Sequence, residues 1–158
     1  FWTELASVDL SGGDATSISS GTITAKKYLW FQLYTQQTVD SNYKITFNSD
    51  TGTNYTWRNS NNGGTDFTGT SDTSTTIRSI TANLPLFHNM FILNNSAQEK
   101  LGISNTVMQN TAGAGTAPQR RETVHKWANT SSQITNITIT SGSGNLDSGT
   151  FLKVWGSN

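Results

Sequence analysis

Apolar and polar residues alternate with a period of two along most of this chain, the mark of strands with one face buried and one face wet. The clearest run is Tyr28-Leu29-Trp30-Phe31-Gln32-Leu33-Tyr34. Leu29, Phe31 and Leu33 fall on one face, which reads as core. Tyr28, Trp30, Gln32 and Tyr34 fall on the other, and so many rings there predict cover by loops or contact with a partner. Shorter alternating runs lie at 8–10, 18–24, 43–47, 55–58, 75–80 and 122–127, while 89–93 is apolar on both faces and reads as a central strand. Clusters of Gly, Asn, Asp and Ser, such as Ser11-Gly12-Gly13-Asp14, separate the runs and supply the turns.

Residues 133–156 carry the strongest pattern. Two β-branched and aromatic runs, one holding Ile137 and Ile139 and the other Phe151, Leu152, Val154 and Trp155, flank a Gly/Ser/Asn connection. That arrangement predicts a terminal β-hairpin contributing to the central packing. Residues 59–76, around Asn61-Asn62-Gly63-Gly64, read as an exposed loop or a loose hairpin tip. Between 94 and 118 the pattern is weakest: Ala97-Gln98-Glu99-Lys100-Leu101 suggests one helical turn stopped by Gly102, and 111–118 reads as loop. Eight to ten short strands with no amphipathic helix predict an all-β, antiparallel β-sandwich, with residues 1–158 as a single domain.

Composition narrows the function classes. At 158 residues the chain can bury about 70% of its unfolded surface and needs no staple. Charged residues make up 13% with a formal net charge of zero, and Ser, Thr and Asn are abundant. Nucleic acid is therefore an unsuitable partner, because binding it requires clustered Lys and Arg that displace counterions. There is no Cys, which excludes disulfides and thiolate chemistry. No apolar run reaches the ~18 residues that would suggest a membrane span, and the start lacks a basic-then-apolar signal pattern. Phe1 stands where an initiator Met would, which fits either a processed end or the start of a fragment.

Residues able to do chemistry are few. His88 and His125 are the only histidines, and neither has the spacing of a metal site, so the expectation is no catalytic residue, no metal and no cofactor. Asp50 and Glu122 could serve as a glycosidase pair only if the fold brought them together. Asn48, Asp50 and Asn54 read as turn residues bonding their own backbone rather than as calcium ligands. The aromatics are more informative. Tyr55, Trp57 and Arg58, beside the 59–62 loop, would suit sugar binding by ring stacking, and Trp30 would suit a ligand or an interface. Trp2, Trp127 and Trp155 are expected in core or interface.

Four segments taken together carry a resemblance: residues 2–10, Phe47-Asn48-Ser49-Asp50-Thr51-Gly52-Thr53-Asn54-Tyr55, Arg121-Glu122 through Lys126-Trp127-Ala128-Asn129, and Ser148-Gly149-Thr150-Phe151-Leu152-Lys153-Val154-Trp155-Gly156. In this order they resemble a module of tailed-phage and related virion proteins, a jelly-roll-like sandwich ending in a Gly-x-x-hydrophobic-x-hydrophobic-aromatic-Gly strand. The resemblance implies a non-enzymatic virion structural protein at the particle surface, of capsid decoration, cement or head-fibre type. It further implies a homo-oligomer, with a trimer favoured, seated on a major capsid or other virion protein. The alternative is the carbohydrate- or receptor-binding domain of a viral tail fibre, whose partner would be a cell-surface glycan.

Overall fold

The computed structural model describes residues 1–109 and 111–158, apart from the side chains of 78–80. Its strands are β1 Thr3–Asp9, β2 Ser17–Ser19, β3 Tyr28–Thr35, β4 Ser41–Phe47, β5 Tyr55–Asn61 and β6 Phe67–Asp72. They continue as β7 Thr75–Ile80, β8 Leu86–Leu93, β9 Lys100–Met108, β10 Gln119–Trp127, β11 Ile137–Ser141 and β12 Phe151–Ser157. One sheet has eight strands in the order β1-β12-β3-β8-β9-β10-β5-β6, and the other has four in the order β2-β11-β4-β7. Every pairing is antiparallel, and no helix occurs among the described residues. The fold is an all-β antiparallel sandwich.

Within it lies a jelly-roll-like frame. The quartet β1-β12-β3-β8 faces the quartet β2-β11-β4-β7, and the chain crosses from one to the other between β1 and β2, β2 and β3, β3 and β4, β7 and β8, and β11 and β12. The remaining strands are two inserted pairs, β5–β6 after β4 and β9–β10 after β8. Both pairs join the same edge of the first quartet and widen it to eight. The core fills the space between sheets with Leu29, Phe31, Leu33, Ile45, Ile137, Ile139, Leu152 and Val154, all inaccessible to solvent. The face read as core on Tyr28–Thr35 is therefore core.

Two expectations change. The terminal pair is not a hairpin: β11 bonds to β2 and β4, whereas β12 bonds to β1 and β3 in the other sheet. Two strands with alternate residues buried satisfy the same pattern whether they lie side by side or across a core. The connection 142–150 decides for the crossing, because Leu146 in its middle is fully buried and bridges to Ala15 and Gln37. The helical turn at 97–101 is instead the entry to β9. Lys100 is buried with Nζ donating to Gln98 O (2.6 Å) and Asn129 O (2.7 Å), 5.9 Å from the Trp127 ring centre. The hairpin tip read within 59–76 is the turn between β5 and β6, where Asn62 and Gly63 take positive φ (52° and 75°) and the Gly64 N–H donates to Asn61 O at 2.9 Å, and β7 begins at Thr75.

Candidate functional site

The outer face of the eight-stranded sheet is assembled by strand register. Because opposed residues on neighbouring strands share a face, the pairings align one row across the sheet: Trp155, Trp30, Phe91, Ile103, Val124 and Arg58. Two residues along, Lys153, Gln32, Asn89, Asn105, Glu122 and Ser60 form a polar row. The next is Phe151, Tyr34, Phe87, Val107 and Arg120. Two mostly apolar bands thus flank one polar band. Ile103 is 59% exposed, Leu101 52%, Val124 51% and Val107 48%. Contiguous exposed apolar surface on this scale marks an interaction site.

The bands are not flat. Toward β12 and β3 the rings stack into a ridge: Trp30 lies 4.5 Å from Trp155 and 5.5 Å from Phe91, and Trp2 stands edge-on over Trp30 and Phe91 at 6.0 and 6.2 Å. The Trp30 Nε1–H donates to Asn89 Oδ1, which ties the ridge to the polar band. Toward β9, β10 and β5 the side chains are short and aliphatic. There the surface sinks into an open trough of about 730 Å³, floored by Leu101, Ile103 and Val124 and walled by Trp2 on one side and Arg58 and Thr68 on the other.

Beneath the trough the sheet is inverted. On β9 the buried residues are Lys100, Gly102, Ser104, Thr106 and Met108, and on β10 they include Arg121, Thr123 and His125. A polar interior must be hydrogen-bonded to be tolerated. Accordingly His125 bonds to Thr75 Oγ1 through Nδ1 and to Ser104 Oγ (2.7 Å) through Nε2; His88 Nδ1 meets Thr106 Oγ1 (2.8 Å), and Asn59 Nδ2 donates to Thr123 Oγ1 (2.8 Å). Burial holds both imidazoles neutral: it drives His88 down to about 3, with the neighbouring His125 adding to the effect, and His125 likewise to about 3. Burial also lowers Lys100.

Of the residues singled out in the sequence, the outer face carries Trp30 and Arg58, four strands apart in the first row. Arg58 is exposed at one end of the first row and paired with Asp66 at 3.0 Å. Tyr55 is in the core, its hydroxyl accepting from the Phe47 N–H (2.9 Å) and donating to Asp50 O (3.0 Å), so no ring face is left for a ligand. Trp57 also turns inward, with Nε1 donating to Asp72 Oδ2 at 2.7 Å. Asp50 caps its own turn, accepting from Gly52 N (2.8 Å), Asn54 Nδ2 (2.9 Å) and Trp127 Nε1 (2.7 Å). Burial raises its pKa, and these bonds outweigh that and leave it below the usual value. Glu122 sits on the opposite face five positions from Trp127, roughly 17 Å away along an extended strand, too far from Asp50 for paired-carboxylate chemistry.

Residues that sequence reasoning passed over are Leu101, Ile103, Val107 and Val124. A signal was present, since Leu101-Gly102-Ile103-Ser104-Asn105-Thr106-Val107 alternates except at Asn105. Its apolar members face solvent instead of core. No protein-family model matches this chain, and no curated protein matches it.

Proposed function

We propose that this chain is a non-enzymatic structural protein of a virus particle, of the decoration or head-fibre kind, and that it self-assembles through the outer face of the eight-stranded sheet. The observation that carries the assembly half of this reading is the exposed pair of apolar bands. Burying them removes apolar area at about 25 cal/mol per Å², a gain unavailable to the isolated chain. The particle half rests on the resemblance of the ordered motifs, with which the jelly-roll-like frame is consistent. Absence of turnover fits the two histidines, both sealed in the interior and neutral.

The tail-fibre alternative keeps one observation in its favour: the trough presents Trp2, Tyr28 and Phe91 as ring faces with Arg58 and Lys126 nearby, a combination that can stack on a sugar and bind its hydroxyls. Sedimentation equilibrium separates the readings. Concentration-dependent association that Ile103→Glu abolishes, with thermal stability unchanged, supports assembly. A monomer that retains glycans on an array replaces it with the alternative. Imaging of intact particles containing the chain tests the location: copies on the capsid exterior support it, and copies absent from the particle refute it.

A further inference from the structure

We propose that the outer face pairs with the same face of a second copy across a two-fold axis running along β8. This names the partner of the face assigned above and rests on that reading. The argument is one of register. β8 lies midway between β12 and β10, between β3 and β9, and between β1 and β5. Rotation by half a turn about an axis laid along β8, between two stacked faces, therefore sets β12 over β10, β3 over β9 and β1 over β5 of the second copy, with β8 over itself.

The charges of the polar row and those at the two ends of the first row so placed meet their complements, while Arg120 in the third row faces Phe151. Lys153 on β12 faces Glu122 on β10, because both sit in the polar row. Glu4 pairs with Trp155 in register and so heads the first row, where it faces Arg58 at the row's far end. Between them Gln32 faces Asn105, and Asn89 faces its own copy. A two-fold axis running across the strands would instead set Lys153 on Lys153 and Glu122 on Glu122, and like charges in contact oppose pairing.

Shape follows the same operation. The ridge of Trp2, Trp30 and Trp155 comes down over the trough floored by Leu101, Ile103 and Val124, so the bulky half of each copy fills the hollow half of the other. Strands stacked in nearly the same direction at ~10 Å are the ordinary geometry of aligned sheets. The overlapping strands β1 through β5 span six spacings of ~4.8 Å and strands of about 24 Å, so the paired face covers on the order of 700 Å², close to the ~800 Å² each partner contributes to a stable interface. An interface that matches itself is isologous and closes at two copies. A dimer thus takes the place of the trimer favoured on resemblance.

Charge reversal tests the register. Lys153→Glu alone and Glu122→Lys alone each place like charges at two symmetric points, and each should raise the dimer dissociation constant about tenfold or more at low salt. Mixing the two variants restores opposite pairs at both points, so a heterodimer of wild-type affinity should form. Because the chain has no Cys, a single cysteine gives a clean second readout. Phe91→Cys on the axis should be joined to its own copy by a short bis-maleimide, and Lys44→Cys on the opposite sheet should not. Wild-type chain that associates while both charge variants associate equally tightly, or crosslinking through Lys44→Cys instead of Phe91→Cys, overturns this two-fold and leaves self-assembly standing. Wild-type chain that stays monomeric at every concentration overturns both.

Discussion

The two halves of the eight-stranded sheet obey opposite rules. In β12-β3-β8 the inward residues include Leu152, Val154, Leu29, Phe31, Leu33, Met90 and Ile92, with His88 on β8 a polar exception, and the outward ones mix rings with Gln32, Asn89 and Lys153. In the middle of β9 and β10 the inward residues are Ser104, Thr106, Thr123 and His125, with the apolar Met108 and Trp127 only at the strand ends, and the outward ones include Ile103, Val107 and Val124. The first half is a sandwich face opposed by a second sheet. The second half is built from inserted strands that extend past the frame, held inside by hydrogen bonds and left apolar outside. Hydrophobic burial thus dominates the frame, whereas the middle of the appended strands rests on a polar network and leaves its hydrophobic residues on the solvent side.

Acid should break the seam between the frame and the appended strands first, where His88 of β8 bonds to Thr106 of β9 and His125 of β10 bonds to Ser104 of β9, and this is the largest effect expected. His88 and His125 titrate at about 3 in the fold against an ordinary 6.5. Below pH 6.5 the unfolded chain takes up protons that the folded chain refuses until about 3, so stability is complete above 6.5 and falls as pH drops through that window. Each group can cost on the order of 4 kcal/mol by pH 3, enough together to unfold a domain of ordinary stability. Circular dichroism against pH reads this directly. Replacing both with Gln should lower the acid midpoint by about one pH unit or more; an unmoved midpoint would show that the imidazoles are not the groups responsible.

Next in size is a cavity in the frame. Phe31 is fully buried beneath β3, and Phe31→Ala should cost about 3–5 kcal/mol in urea unfolding. Ile103→Ala, an apolar truncation on the outward face of β9, should change monomer stability by less than ~0.5 kcal/mol. Comparable costs at the two sites would erase the distinction between halves.

How much of this could be read from the chain follows the same division. Where burial sets the pattern, the strands stand out: Leu29, Phe31 and Leu33 on β3, and Ile45 and Phe47 on β4, lie where alternation places them. The sandwich class followed from such runs. β9 stayed illegible because its alternation is inverted, and because Gly102, Ser104 and Thr106 do not look like a core face. β6, Phe67-Thr68-Gly69-Thr70-Ser71-Asp72, offers a single large apolar residue, which is exposed. Arg58 lies on the outer face of β5, whereas Tyr55 and Trp57, which the sequence groups with it as a candidate sugar site, share the opposite face, as residues two apart on a strand do. What alternation cannot express is which sheet a strand joins, and that is why β11 and β12 read as a hairpin.

A smaller effect sharpens the contrast at adjacent positions. Ser104→Ala removes the hydroxyl on His125 Nε2 and leaves a buried ring nitrogen without its partner, which should cost about 1–3 kcal/mol. Its neighbour Ile103, one residue away and on the other face, tolerates the same truncation. Chemical denaturation of the two alanine variants side by side checks this, and equal losses would mean that the interior of β9 does not depend on its hydrogen bonds.

The smallest effect belongs to Arg58. Its guanidinium meets Asp66 at 3.0 Å, yet both side chains are about half exposed, 60% and 45%. Water screens such a pair, and fixing two long side chains offsets much of the Coulomb gain, so exposed ion pairs contribute only ~0.2–1 kcal/mol. Arg58→Ala should therefore leave the monomer's unfolding midpoint almost unmoved. Association is another matter: stacking of two outer faces dries the rim, and there Arg58 gains the carboxylate of Glu4 from the second copy. The substitution should thus weaken the dimer and flatten its salt dependence while the fold stays intact. A variant that unfolds more easily but dimerises as before would assign Arg58 to the hairpin and not to the face.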